Sequence, residues 1–230
     1  MNSNKKVIIF DASTLINFAM NGSLDVLVKL RQNFNVQFIV PKAVKFEVVD
    51  HPMQIKQYEL EALKINKLIT DKILELPDSL GMAESEINHE TAKILNTSNS
   101  SFYAKGKALH MVDKGEVSCI AVSILCYRKK IENLIAADER TVRMICENPV
   151  NLQKLLEKKL HTKIELKENF FFSEHVRFIR SSELMYIAYK KGLLDIKGSE
   201  VLDAVLYATK YKGNAISRDE IEEMKKLSKV

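Results

Sequence analysis

A handful of carboxylates stand in this chain at places where an acid has no reason to be for packing alone. Asp11 ends the apolar run Val7-Ile8-Ile9-Phe10. Glu47 lies in a helical stretch that follows the apolar residues 36–40 and Pro41. Glu116 opens the apolar stretch 115–130, and Asp138, with Glu139 beside it, closes residues 133–137. A carboxylate against an apolar core is costly unless it is paired or holds a cation, and the carboxyl ends of parallel strands are where open α/β sheets place ligands. Acids gathered at such an edge repel one another, which raises their pKa values and weakens the fold until a cation sits among them. Oxygen donors without His or Cys select Mg²⁺ or Mn²⁺ over zinc, and such ions activate water and brace a phosphodiester for in-line displacement. Ser13, two residues after Asp11, offers a hydroxyl to orient that acid. Taken singly, Glu47 or Glu116 is more often a solvated helix residue; the order of the acids and the elements that carry them single them out.

Those elements follow from periodicity and punctuation. Residues 7–10 and 36–40 read as buried strands. Helical spacing runs from Leu15 to Leu30, with Asn21-Gly22-Ser23 as a break and Ser23 as the expected N-cap. Pro41 opens a helix over 42–50 that His51-Pro52 stops, and Val44 and Val48 set the face of Glu47 against the core. A long amphipathic pattern (Leu60, Leu63, Leu68, Ile69, Ile73) covers 54–76, and Pro77-Asp78-Ser79 ends it. The low-complexity stretch 96–101 reads as a mobile surface loop. A helix with a wide apolar face covers 115–130, a short strand 133–137, and a helix 141–160 with a break at Asn148-Pro149. Residues 161–178 alternate weakly, as a strand or hairpin would. Helices over 182–191 and 199–212 end at Gly192 and Gly213, and Ser217 with Glu220 has the spacing of a capping box for a last helix. Strands alternating with helices predict a parallel sheet between helical layers.

Composition narrows the classes. With 230 residues, 46% hydrophobic and 28% charged, the chain has the make-up of an ordinary globular domain. A net charge of +5 tolerates a polyanionic partner without demanding one. The 3 cysteines, Cys119, Cys126 and Cys146, form no CxxC pair, which fits a reducing compartment and a cytoplasmic protein. Lys5-Lys6 before an apolar stretch imitates a signal peptide, but Asp11 interrupts it and no small-residue cleavage site follows. No run reaches the length of a membrane span, so no membrane partner is expected. His51, His89, His110, His161 and His175 show no zinc-ligand spacing. The phosphate cradles GxxxxGK[ST] and GxGxxG are absent. An aspartyl-phosphate phosphatase of the haloacid dehalogenase type needs an aspartate where Ser13 stands.

The motifs carrying these acids resemble those of PIN-domain proteins. The segment from Val7 to Ile16 is similar to the first motif, with Asp11 at the metal-ligand position and Ser13 or Thr14 as its hydroxyl. Val40-Pro41-Lys42-Ala43-Val44-Lys45-Phe46-Glu47 resembles the second. Asp113-Lys114-Gly115-Glu116 resembles the third motif of a bacterial and archaeal subgroup marked by its Gly-Glu pair, and Ile135-Ala136-Ala137-Asp138-Glu139-Arg140 resembles the fourth. Most PIN nucleases carry aspartate in the third motif; here Glu116 is the candidate, with Asp113 one helical turn earlier as the substitute. In the fourth, either Asp138 or Glu139 points inward. Ser181 or Ser182, Gly192-Leu193-Leu194 and Gly213-Asn214-Ala215-Ile216-Ser217 look like the subgroup's C-terminal features.

The resemblance implies a single three-layer α/β/α domain over 1–230, with a central parallel sheet, additional C-terminal helices, and insertions at about 53–108 and 145–178. It implies an endoribonuclease dependent on Mg²⁺ or Mn²⁺, with Asp11, Glu47, Glu116 and Asp138 as ligands, Glu139 as a further one, and Ser13 orienting Asp11. RNA is the implied substrate. Such proteins are often toxins of toxin–antitoxin pairs, so an antitoxin and self-association are implied partners. The alternative is a PIN-like module that binds RNA or protein without cutting. Basic residues gather at 128–130, Lys154, Lys158, Lys159, Arg177, Arg180, Lys190, Lys191, Lys225 and Lys226, mostly as solvated helix ends. Arg140 is the first choice for a substrate phosphate, and Tyr103 or the run Phe170-Phe171-Phe172 offers rings for base stacking.

Overall fold

The computed structural model describes residues 6–167 and 175–228; Phe170, Phe171 and Phe172 lie outside the described residues. Aliphatic β-formers build the sheet: β1 (Lys6–Phe10), β2 (Val36–Ile39), β5 (Glu132–Ala136) and β7 (Phe178–Ile179) lie in the order β2-β1-β5-β7, every pair parallel. Parallel neighbours need crossovers, and helices supply them. The chain leaves β1 through α1 (Ala12–Met20) and α2 (Leu24–Asn33) toward β2. It returns on the other side of β1 through α6 (Lys114–Arg128), which feeds β5. Right-handed crossovers running in opposite directions place their helices on opposite faces. Asn133 accordingly receives a 2.6 Å bond from Ser123 of α6 on one face, whereas Ile8 and Leu134 share a cavity with Leu30 of α2 and Leu184 of α9 (Ser181–Lys190) on the other. The result is a parallel sheet between helical layers, with the reversal of strand order at β1. That reversal opens a crevice at the strand ends, where Asp11 and Asp138 stand.

Most expected elements are present, with corrections. Residues 42–50 divide into α3 (Lys42–Lys45) and a π-helical turn, Phe46–Asp50, so Glu47 sits where the helix is locally widened. Ser23 occupies the position before α2 but makes no side-chain cap bond; its hydroxyl donates to the Phe18 carbonyl instead. The pattern over 54–76 condenses to α4 (Glu59–Thr70), which buries Ala62, Ile65 and Leu68. Leu60 and Leu63, at 58% and 51% exposure, project from its far side, because on a 3.6-residue wheel they lie opposite that stripe.

The expected mobile loop at 96–101 is mostly the end of α5 (Glu84–Ser98), and Ser98 and Ser101 are buried. Side chains that compete with the backbone elsewhere here close a helix end: Ser101 donates to Thr97 O at 2.6 Å, and Asn99 clamps the approach to α6. Its Oδ1 accepts from Met111 N at 2.7 Å and Val112 N at 3.1 Å, and its Nδ2 donates to Val112 O at 3.1 Å. The weakly alternating 161–178 region supplies two strands with different partners. β6 (Ile164–Leu166) pairs with β3 (Phe102–Ala104), which also pairs with β4 (Lys107–Ala108), while β7 joins the main sheet. The two segments read as insertions thus meet in one antiparallel sheet. Between β5 and β6 lie α7 (Arg140–Glu147) and α8 (Pro149–Leu160), and α10 (Val201–Tyr211) and α11 (Arg218–Ser228) follow α9.

Asn99→Ala removes three half-buried bonds, so the expected loss is about 2 kcal/mol of unfolding free energy. Ser100→Ala, at an exposed site, should change it by less than about 0.5 kcal/mol. Urea unfolding followed by circular dichroism measures both.

Candidate active site

The site begins with a continuation of the sheet. Asp11 N donates to Ala136 O at 2.9 Å, carrying the β1–β5 ladder one residue past the strand. This brings Asp11, at the N-cap of α1, close to Asp138. The Asp11 Oδ2 accepts from Ser13 N at 3.2 Å and from the Ser13 hydroxyl at 2.5 Å; the same hydroxyl oxygen accepts from Asp138 N at 3.0 Å. One serine therefore ties the two strand ends together. Asp138 is 1% exposed, and its Oδ1 accepts from Ser181 N at 2.7 Å and Asn214 Nδ2 at 2.9 Å. Asp11 Oδ1 and Asp138 Oδ2 are buried with no hydrogen-bond partner among the described residues.

Three glutamates surround the pair. Glu47 is exposed along its stem, but its carboxylate lies on Gly115 and accepts that residue's N–H. A Cβ at position 115 would stand 2.3 Å from Glu47 Oε1, so only glycine admits this approach. Glu116, at N3 of α6, turns an oxygen back to Asp113 N at 2.9 Å. Asp113 itself is 80% exposed and bonded to His110, whereas Glu116 is half-buried. In the fourth motif Asp138 points inward. Glu139 is exposed and caps α7, accepting from Thr141 N and Oγ1. Arg140 is exposed at the first position of that helix.

Burial is the main force on these acids, and mutual repulsion adds to it. Asp11 and Asp138 are raised by desolvation against the hydrogen bonds they accept, and each feels a neighbouring acid. Glu47 is pushed up to about 6 by burial and then by Asp11 and Asp113; Glu116 is pushed up to about 8 by burial and then by Asp11, Glu139 and Asp113. The buried Cys119 thiol is raised well above its ordinary value by burial and then by Asp11, Glu47 and Glu116.

The donor set suits a hard divalent cation: every group is an oxygen, and two of those oxygens are buried and without a donor. Among the described residues no three His, Cys, Asp or Glu side chains already stand as a ligand set. The reason is local, since Glu116 and Glu139 are turned to their helix N-termini and Glu47 to Gly115. Sequence reasoning assigned no role to Gly115, Asn214 or Arg143. Gly115 was legible as the partner of Glu116 in a Gly-Glu pair. Asn214 reaches Asp138 across 76 residues, a separation with no local signature. Arg143 is half-buried, its Nε has no hydrogen-bond partner among the described residues, its pKa is lowered first by burial and then by Arg180, and its charge eases that of Asp138. No protein-family model, no curated protein and no solved structure matches this chain.

A carboxyl whose folded pKa exceeds its unfolded value binds more protons folded than unfolded between the two, so stability falls as pH rises through that interval. For Glu47 and Glu116 the interval runs from 4.5 to about 6 and about 8. Glu220, lowered to about 2, acts only below it. Without divalent ions, unfolding free energy should therefore decline between about pH 5 and 8.5, and Asp11→Asn should flatten that decline in urea titrations. Gly115→Ala is a second expectation. It displaces the flexible end of Glu47 while favouring the helix by about 0.5–1 kcal/mol, so the melting temperature should hold or rise while the gain in stability on adding Mn²⁺ shrinks.

Proposed function

We propose that this chain is a Mg²⁺- or Mn²⁺-dependent endoribonuclease built on a PIN-like domain. The observation that carries the proposal is the pair of strand-end aspartates on adjacent parallel strands, joined through Ser13 and each keeping one buried carboxylate oxygen without a donor. Supporting it are the all-oxygen character of the cluster and the crevice at the strand-order reversal. Asp11 and Asp138 would hold the ion, with Glu47, Glu116 and Glu139 close enough to Asp11 for their charges to interact. Bound there, the ion supplies neutralising charge and Lewis acidity toward a phosphodiester. Ser13 fixes the spacing of the two aspartates. Asn214 and Ser181 N–H hold the Asp138 carboxylate by its other oxygen, and Arg140 stands beside the site as a counter-charge for a substrate phosphate. The setting implied by the motif resemblance is a toxin–antitoxin pair.

A second reading has its own observation. Glu116 and Glu139 are turned to helix ends, which suits a PIN-like module that binds RNA or protein without cutting. Cleavage of mixed single-stranded and structured RNA separates the two. A nuclease should cut with Mn²⁺, stop with a chelator, and lose about a hundredfold or more in Asp11→Asn, beyond the loss typical of outer-shell changes. Mn²⁺ at about 100 times its Kd should stabilise the wild type by about 2.7 kcal/mol, and Asp11→Asn should lose most of that gain. Undiminished Mn²⁺-dependent cutting by Asp11→Asn would sink the assignment of the site. Neither cutting nor stabilisation in the wild type leaves the binding module.

A further inference from the structure

A groove of about 530 Å³ opens beside the acidic cluster, and Glu47 forms part of its wall. One side is the α3 segment, with Lys42 and Phe46; the other is α5, from the first insertion, with Asn88 and Thr91; the start of α6 closes it with Lys114. Phe46 is a neighbour of Glu47 in sequence and is 56% exposed, with the His51 ring tilted 6.1 Å from its own, so ring surface remains open for stacking. Thr91 lines the groove, is 3% exposed, and its hydroxyl has no hydrogen-bond partner among the described residues. Lys42 is held loosely by Glu84 at 3.5 Å on an exposed rim, and Lys114 forms no ion pair among the described residues. Asn88 is exposed and carries both a donor and an acceptor.

We infer that this groove is a subsite for one unpaired nucleobase of the substrate strand, next to the phosphodiester at the acidic cluster, and that α5 gives the site its base preference. The inference rests on the nuclease reading for the identity of the polymer. The lining is a flat ring and an exposed amide over a mostly apolar floor that includes Thr91, with lysines at the rim. An extruded base needs the same set: a face to stack on, hydrogen bonds for its edge, and cations for the flanking phosphates. A base held within a duplex keeps both faces covered and cannot use it. By contrast, the apolar cavity of about 470 Å³ at the other end of the sheet has only the Lys6–Glu132 pair and two asparagines at its mouth, and no acid of the cluster lines it.

The test uses the chain's lack of tryptophan. Phe46→Trp places a single indole in the groove, and its fluorescence reports stacking. Titration with the four nucleoside 5′-monophosphates and with short homopolymeric oligoribonucleotides should give saturable quenching, stronger for some bases than others. Asn88→Ala added to Phe46→Trp should weaken the preferred ligand about tenfold and level the preference. Asn88 is exposed, so its replacement should leave the melting temperature within about a degree or two, and weaker binding in that variant is not a folding defect. In cleavage assays, Asn88→Ala should relax the base preference beside the cut. Flat titrations with every base, or an unchanged cleavage preference in Asn88→Ala, overturn the subsite even if the wild type cuts RNA. Base-dependent quenching with no cleavage by the wild type upholds the subsite and removes the nuclease reading.

Discussion

Two like charges buried side by side are the constraint around which this structure is organised. A buried carboxylate costs several kcal/mol unless donors compensate it, and here the Ser13 hydroxyl donates to the Asp11 carboxylate while accepting from the backbone N–H of Asp138. Ser13 can do so only because β1 and β5 are adjacent and parallel and because the ladder continues to Asp11 N. Strand order therefore determines the electrostatics: had β5 paired on the far side of β2, Asp11 and Asp138 would stand two strands apart and the repulsion between them would fall. The remaining compensation for Asp138 comes from the C-terminal region, through Ser181 N and Asn214 Nδ2. Hydrogen bonds to a charged group are worth about 1.5–3 kcal/mol each, so these contacts are on the scale of the burial they offset.

The described residues of segments 53–108 and 145–178 pack around the same sheet from the outside. α5 packs along α6 and is anchored near that helix's C-terminal end by Arg128, whose two nitrogens reach the buried Glu90 carboxylate at 2.8 and 3.1 Å. That anchor fixes α5 lengthwise, so that Asn88 and Thr91 fall opposite Lys114 at the helix start. The small sheet of β3, β4 and β6 joins the two insertions to each other, and Asn99 holds the chain as it turns into α6. A segment whose middle looked like a solvated tether is thereby one wall of a groove.

The parallel sheet, its helices and the placing of Asp11 and Asp138 at strand ends were legible because each rests on local chemistry. An apolar run ended by an acid, a proline that opens a helix and a glycine that ends one are all readable within a few residues. What failed was of another kind. Stretch 96–101 was misread because its Ser, Thr and Asn side chains favour loops in isolation, whereas here they bond to the end of α5 and to residues 111–112. Leu60 and Leu63 were assigned to the apolar stripe because hydrophobicity alone does not say which of two faces meets the core. Asn214, Arg143 and the small sheet depend on contacts between distant segments, and no pattern within a window reports them.

The C-terminal helices link these observations to one another. Arg180, 8% exposed, pairs with Glu183 at 2.9 Å and Glu220 at 2.7 Å, joining the start of α9 to the start of α11. Ala215 N reaches Asp138 O at 3.3 Å, and Asn17 of α1 donates to Thr209 O at the end of α10 at 2.8 Å. The segment that closes the chain is thus bonded both to the helix that follows Asp11 and to the residue that carries the second aspartate. Loosening it frees the Asp138 carboxylate to rotate and leaves a buried charge without its donors, a defect larger than the loss of any one contact. The placement of a buried acid at the strand ends is in this way coupled to the packing of the last helices, through bonds that span the chain.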